Sequence, residues 1–269
     1  MNNRHDNYPD LGQSGIKLIR SLQQKKIRDK QNLFVVEGDK ICQEYIHASE
    51  ENLCTIKYIC ATADWLEQKL PLIKGSGFEI FRIDYKEIKR ISSFVNPQEV
   101  MAVVEKNKQE FKPALLKKRL TLAFDSIRDP GNFGTIIRTA DWFGIDTVIC
   151  SPDSVDVFNP KVIQSAMGST LRVNVHYKVL AELFSDAAIK NIPVYGTFME
   201  GNDIYSETFP EELIILFGNE SAGIDSTLLP LINNKISIPE FPAGKLSTES
   251  LNVATAMAII SSEVRRRKQ

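Results

Sequence analysis

Four polar side chains stand where this sequence could do chemistry: Asn132, Arg138, Glu220 and Asn252. Asn132 and Arg138 follow Leu122–Ser126, a run that alternates and is apolar enough for a strand entering a core. Polar groups at the carboxyl end of such a strand sit where open α/β sheets bind ligands. A solvated arginine beside an ordinary helix cap is the plainer reading of the same residues. Glu220 leaves the apolar run Leu213–Phe217 inside a turn bounded by Gly218 and Gly223, and a glycine there lets a ligand approach the backbone. It could equally cap the next helix. Asn252 lies within an apolar stretch and needs hydrogen-bonding partners if buried. An arginine stays protonated and is a poor base. None of the three histidines, His5, His47 and His176, falls in these stretches, which disfavours a histidine base.

The elements that must hold these groups can be read nearby. Asp129-Pro130-Gly131-Asn132 breaks the first strand, because proline cannot continue a central strand and glycine tolerates the turn. Asn132 is then the expected N-cap of a helix ending near Gly144. Ile136, Ile137, Ala140 and Phe143 share one face of it and Arg138 points away. Thr147–Cys150 is a second strand, and Asn159-Pro160 starts a helix through about Met167. The spacing predicts an amphipathic helix over Val179–Asn191, then strands at Val194–Phe198 and Leu213–Phe217. Leu213–Phe217, L-I-I-L-F, is apolar enough to be buried on both faces. From Leu251 to Ile260 a helix is apolar around nearly its whole circumference and must be buried on several sides. Helices alternating with such strands imply a largely parallel sheet.

Composition bounds the rest. At 269 residues and 43% hydrophobic content the chain suits one large or two modest domains. No apolar run approaches membrane-spanning length, and the first ten residues lack the apolar segment of a signal peptide. Cys42, Cys54, Cys60 and Cys150 form no C-x-x-C pair, so no metal site and no disulfide framework is expected, and a cytoplasmic protein is the simplest reading. The net charge of −1 is unevenly spread. Residues 1–119 carry 21 Lys/Arg against 16 Asp/Glu, and residues 120–269 carry 12 against 18. A basic first part joined to an acidic second part fits an RNA-docking domain ahead of a catalytic one.

Ile16–Lys30 reads as one helix with an Ile16, Ile19 and Leu22 stripe. It leaves Lys17, Arg20, Lys25, Lys26, Arg28 and Lys30 largely in water. A solvated basic face is the common explanation, and phosphate contact the functional one preferred here, because only Asp29 interrupts the positive charge. Strands are expected at Leu33–Gly38, Ile56–Cys60, Glu79–Ile83 and Val100–Glu105, with helices at Asp39–Ala48, Asp64–Leu72 and Asp84–Ile91 between them. That makes a compact α/β domain over residues 1–105. Lys106–Lys118, charged and broken by Pro113, reads as a linker, and residues 119–269 as the catalytic domain.

Three stretches also carry a resemblance. D-S-I-R-D-P-G-N-F-G-T-I-I-R-T-A, then F-G-N-E-S-A-G, then Ile238-Pro239 with S-L-N-V at Ser250–Val253 resemble, in order, the three motifs of the SpoU/TrmH RNA ribose 2'-O-methyltransferases. Phe34–Gly38, after the basic helix, resembles the L30e-like substrate-binding domain that many of these enzymes carry first. The resemblance covers most of the chain. It implies a SPOUT-type α/β fold: a mostly parallel sheet with a C-terminal trefoil knot, preceded by the smaller α/β domain.

The resemblance further implies S-adenosylmethionine as cofactor, held largely through backbone groups by Gly218, Ile238 and Leu251, with Thr197 bordering the adenine. Arg138 would activate the 2'-hydroxyl and Asn132 orient it, with Glu220, Ser250 and Asn252 completing the site. The absence of a G-x-G-x-x-G fingerprint is consistent with a cofactor site that is not Rossmann-type. Glu240 and the long loop Glu240–Ser247 depart from the family pattern, and bear on the details of the cofactor pocket. The implied partners are structured RNA, 23S rRNA ahead of tRNA, and a second copy of the chain, one subunit's arginine meeting the other's cofactor. A catalytically silent RNA-binding factor for ribosome assembly is the reading from another class.

Overall fold

The structure, a computed structural model, describes residues 8–107, 109–241 and 250–267. Residues 242–247 of the expected long loop, and His5, lie outside the described residues. Two units form. The first comprises the described residues of Met1–Lys108 together with Asp156–Leu171; the second comprises Gln109–Val155 and the described residues of Arg172–Gln269.

In the first unit, helices α1 (Gln13–Ser21) and α2 (Lys25–Gln31) precede strand β1 (Leu33–Glu37) and helix α3 (Asp39–Glu50). Strand β2 (Ile56–Ala61), helices α4 (Ala63–Gln68) and α5 (Leu70–Ile73), strand β3 (Glu79–Arg82), helix α6 (Tyr85–Ile91) and strand β4 (Val100–Glu105) follow. The sheet order is β1-β4-β2-β3, antiparallel except for β2 beside β3. Side chains alternate across a strand, so one face of this sheet carries Leu33, Met101 and Val103 and the other Phe34, Val36, Ala102 and Val104. The first face packs with Ile19, Leu22, Ile88 and Ile91 of the helical segments flanking it. The second packs with Ile41, Tyr45, Ile46, Trp65 and Ile73.

The expected single basic helix is two, and the reason is Arg28. Its guanidinium is buried rather than solvated, at 2% exposure. Nη1 donates to the carbonyls of Leu22 and Gln23 at 2.9 and 2.8 Å, closing the end of α1 as cations do at helix C-termini. Nε and Nη2 hold Asp156 Oδ2 at 3.0 and 2.6 Å. Arg28 is therefore a structural cation, not one available to phosphate. Lys17, Arg20, Lys25, Lys26 and Lys30 are exposed.

Asp156 belongs to a segment that chain order alone assigns to the second domain. Helix α8 (Pro160–Ala166) starts as expected, with Asn159 Oδ1 accepting the Lys161 N–H at 2.9 Å. Ile163 enters the first unit's core, Phe158 packs on Phe34 with centroids 4.7 Å apart, and Tyr45 and Thr170 share a hydrogen bond at 2.8 Å. The expected linker is also partly packed: Lys106 and Leu116 are buried, Leu116 in a short 3₁₀ turn over Pro113–Leu116.

The second unit runs β5 (Leu120–Phe124), α7 (Pro130–Trp142), β6 (Thr147–Cys150), β7 (Asn174–Tyr177) and α9 (Leu180–Ser185). Strands β8 (Val194–Asp203), β9 (Leu213–Phe217) and β10 (Asn234–Ser237) and helix α10 (Val253–Arg266) follow. Its six strands are all parallel, in the order β10-β8-β9-β5-β6-β7. The central β9, β5 and β6 are buried at every residue, as expected of strands covered on both faces. Helix α9 stops at Ser185, well short of the expected Asn191. Asp186 turns extended and its Oδ1 accepts the Ala188 N–H at 2.8 Å, a local bond that competes with helix. On α10, Val253, Ala254, Met257, Ile260 and Val264 are buried while Thr255 and Ser262 are exposed. Arg265 donates to the Phe143 and Gly144 carbonyls at 2.8 and 2.9 Å, joining α10 to the C-terminus of α7. No helix among the described residues is long and apolar enough to cross a membrane.

Two stability measurements follow. Arg28→Met or Asp156→Leu alone strands a buried charge and lowers stability by about 3–5 kcal/mol, whereas the double substitution recovers most of it. Urea denaturation of the three variants reads this, and an uncorrected double variant would refute it. His176 on β7 is buried, its Nε2 unpaired and its ring edge-on to Phe111. Burial, then the Lys178 charge, holds its pKa below the usual 6.5. Below pH 6.5 the unfolded chain binds this proton before the folded one, so stability is complete above that pH and declines as pH falls. His176→Leu flattens that part of the stability–pH curve; an unchanged slope would exclude His176 as its source.

Candidate active site

The second sheet reverses its winding direction between β5 and β9. From β5 the chain moves outward through β6 and β7, then returns across the sheet to build β8, β9 and β10 on the other side. Connections diverge at such a point and leave a crevice outside the carboxyl ends of the two strands. The loop after β5 and the turn after β9 both open there.

Asp129, not Asn132, caps α7. Its Oδ1 accepts the Asn132 N–H at 2.7 Å, and Pro130 takes the first helical position, where its missing N–H costs nothing. Asn132 is thereby freed of capping and sits in the first turn. Its Nδ2 donates to Glu220 Oε1 at 3.1 Å, and its Oδ1 accepts from Asn252 Nδ2 at 2.9 Å. Asn252 is itself the N-cap of α10 rather than a residue within it, its Oδ1 receiving the Ala254 and Thr255 N–H groups. Glu220 caps no helix; the next helical turn, Ser226–Leu231, is capped by Asp225. Three residues 88 and 120 positions apart thus form one chain of hydrogen bonds at the first turns of two helices, whose N-terminal dipoles favour negative charge.

The turn carrying Glu220 is braced independently. Asn219 and Gly223 exchange backbone hydrogen bonds at 2.9 and 3.0 Å, and Asn219 Oδ1 accepts from Ser221 and Ala222. Asn219 Nδ2 reaches the Ser126 carbonyl at 2.7 Å, tying this turn to the loop after β5. Asp125 Oδ2 accepts the Asp225 N–H at 2.8 Å, and burial, with two neighbouring carboxylates, raises its pKa. Ser126, at a left-handed φ of 57°, is steadied by Ser151 and Asp153, which hydrogen-bond to it. Asn219, Asp125 and Asp129 were missed as site-building residues. Asp before Pro was the legible signal for Asp129; the roles of the other two depend on pairs about a hundred residues apart.

The expected cofactor residues lie along the same side of the sheet in three neighbouring strands. Thr197 on β8 donates to the Leu216 carbonyl at 3.2 Å, Gly218 follows β9 directly, and Ile238 follows β10. The β8–β10 pairing jumps from Gly196 opposite Lys235 to Asn202 opposite Ile236, leaving Thr197–Glu200 outside that register. Leu251, 47% exposed, precedes α10. Ser250 is exposed. Arg138 is exposed too, and makes no hydrogen bond or ion pair with another described residue. Six residues past Asn132, it lies about a third of a turn around α7 from that side chain. The fold does not bring it into the Asn132–Glu220–Asn252 group. Among the described residues no cluster of His, Cys, Asp or Glu could hold a metal ion.

Gly218 is required by space. A Cβ there would sit 2.3 Å from the Gly223 carbonyl carbon and 2.5 Å from the Ile224 nitrogen, both backbone atoms. Gly218→Ala must displace the turn, costing about 1–3 kcal/mol as overpacking does. Thermal denaturation together with calorimetric titration of S-adenosylmethionine tests it; a variant of unchanged stability and affinity would show the turn to be irrelevant.

Residues 119–262 match the SpoU rRNA methylase family, and residues 13–102 match the MRM3-like substrate binding domain. The chain is 30% identical over 246 residues to the 23S rRNA (guanosine(2553)-2'-O)-methyltransferase of Bacillus subtilis, covering 91% of this chain and 93% of that one. A TrmH-family structure from Porphyromonas gingivalis superposes with a TM-score of 0.81 at 35% identity, covering 96% and 99% of the two chains. An AdoMet-bound rRNA methyltransferase from Sinorhizobium meliloti does so with a TM-score of 0.79 at 27% identity, covering 97% of each. With the family match extending over more than half its length and enclosing the whole hydrogen-bonded group, this chain belongs to the SpoU rRNA methylase family.

Proposed function

We propose that this protein transfers a methyl group from S-adenosylmethionine to a ribose 2'-hydroxyl of structured RNA, with 23S rRNA as the substrate. The observation that carries the reading is the Asn132–Glu220–Asn252 chain at the switch point, assembled from all three family-like stretches. The Bacillus subtilis relative is named for this reaction on 23S rRNA, which favours the same substrate here. A cytoplasmic location accords with it.

The residues present suit the cofactor. Gly218 keeps the backbone open to close approach, and Thr197–Glu200, outside the β8–β10 register, offer main-chain donors and acceptors. Thr197, Gly218, Ile238 and Leu251 would hold S-adenosylmethionine, whose sulfonium supplies an electrophilic methyl and leaves as a neutral thioether. The protein's task is then to place the hydroxyl in line and favour loss of its proton. Asn132, with both amide ends committed, is a rigid positioning group. Arg138 carries a permanent charge that stabilises the developing alkoxide. Because a single chain leaves Arg138 apart from its own Asn132, we place it at the cofactor of a second copy in a homodimer. The trefoil knot and L30e-like character implied by the resemblance belong with this proposal. So does RNA docking by Lys17, Arg20, Lys25, Lys26 and Lys30, which would weaken steeply with salt.

Arg138→Ala should abolish methyl incorporation into 23S rRNA transcribed in vitro, and leave S-adenosylmethionine affinity within about threefold, since the guanidinium acts on the hydroxyl and not on the donor. Retained turnover would reject the role. Mapping of 2'-O-methyl groups in ribosomal and transfer RNA from a strain lacking the gene identifies the target.

A further inference from the structure

The first unit carries a groove of about 350 Å³ between the start of α3 at Gly38–Ile41, the loop before β4 at Gln98, and Gln164 and Met167 at the end of α8. That volume falls within the range of small-molecule sites, about 300–1,000 Å³. Two primary amides line it. Gln98 Oε1 accepts the Asp39 N–H at 2.8 Å, so its Nε2 is the end left to donate. Gly38, at a φ of 110°, makes room for this amide, since a Cβ there would sit 3.0 Å from Gln98 Oε1. Gln164 is half-buried, makes no hydrogen bond with another described residue, and offers both a donor and an acceptor. Ile41 and Met167 add apolar wall.

This lining narrows the occupant. Among the residues that form the groove Lys40 is the one cation and Asp39 the one anion, and Asp39 already accepts from Trp65 Nε1 at 2.8 Å and pairs with Lys69 at 3.4 Å. A single exposed lysine does not make a phosphate site, which gathers several charged or backbone donors. A purely apolar occupant would strip water from both amides and leave them unpaired. A nucleobase meets both demands, with its face against Ile41 and Met167 and its edge toward the amides; glutamine reads base edges in this way, and unstacked bases are what RNA-binding proteins recognise. Gly38–Ile41 and Gln98 lie within the stretch that matches the MRM3-like substrate binding domain, and Gln164 comes from the later segment that completes the same unit. We propose that this groove holds one unpaired base of the RNA substrate, splayed out of its strand, with Gln98 and Gln164 on its edge. The proposal rests on the ribose-methylation reading. It adds a contact that reads a base to lysines that supply only charge.

The test compares Q164A and Q98E with the wild-type full-length chain, using 23S rRNA transcribed in vitro. Q98E keeps an acceptor for the Asp39 N–H and removes the donor. Each variant should bind that RNA at least about fivefold more weakly in a filter assay, the loss of one hydrogen bond to a base. For Q164A the dependence of affinity on salt should stay that of the wild type, because only a lost phosphate contact lowers the log–log slope, by about 0.7–0.9. Chemical probing of the transcript should show one base protected by the wild type and reactive again with Q164A. S-adenosylmethionine affinity should not change. Unaltered RNA affinity in Q164A overturns the proposal, and so does a lowered salt slope, which would make the groove a phosphate contact. Should Q164A melt below the wild type, Q98E decides by the same affinity criterion. A wild type that does not bind the transcript overturns this proposal and the 23S rRNA reading together. One that binds it and transfers no methyl to any RNA overturns the ribose-methylation reading alone, and the binding comparison still decides the groove.

Discussion

A primary amide offers a donor on one side and an acceptor on the other, and Asn132 has both committed. Its Nδ2 is bonded to a carboxylate from the turn after β9 and its Oδ1 to the amide that caps α10. Reversing the amide would set two donors face to face at Asn252 and two acceptors at Glu220, so the group has one arrangement. Three parts of the chain meet at this residue. Everything proposed for the catalytic unit depends on their meeting.

What makes the meeting possible is the parallel sheet. Connections that leave β5 and β9 in opposite directions open a crevice, and polar groups placed on the first residues beyond those strands project into it. Asp129 takes over the capping of α7 and releases Asn132 for the crevice. Asn219, by reaching the Ser126 carbonyl, stops the Glu220 turn from drifting away from β5. Such bracing matters for a transfer that asks the protein for alignment more than for acid–base chemistry.

The first unit shows the same economy with a different group. Arg28 closes the end of α1 from within α2 and anchors Asp156, and Phe158, Ile163 and Thr170 extend that anchorage into the core. The MRM3-like match ends at residue 102, yet the unit is completed by a segment some fifty residues further on. Buried as it is, this arginine cannot serve phosphate, and the exposed lysines and Arg20 around it are what remain for RNA.

Much of this was legible before any coordinates, for an identifiable reason. Strand β9 was readable to the residue because a strand covered on both faces is apolar throughout, and that property is local. The motif residues were readable because their types and order are distinctive. Where the chain alone misled, a contact distant in sequence had overruled a local preference. Arg28 looked solvated because its partner lies 128 residues away, and Asn132 looked like a cap because its two partners were invisible. The sequence by itself determined which strands are buried, which residue types are available for chemistry and which family they belong to. Only the tertiary structure decided which polar groups are committed to holding the fold and which are left for a substrate, because that depends on partners no window of sequence contains.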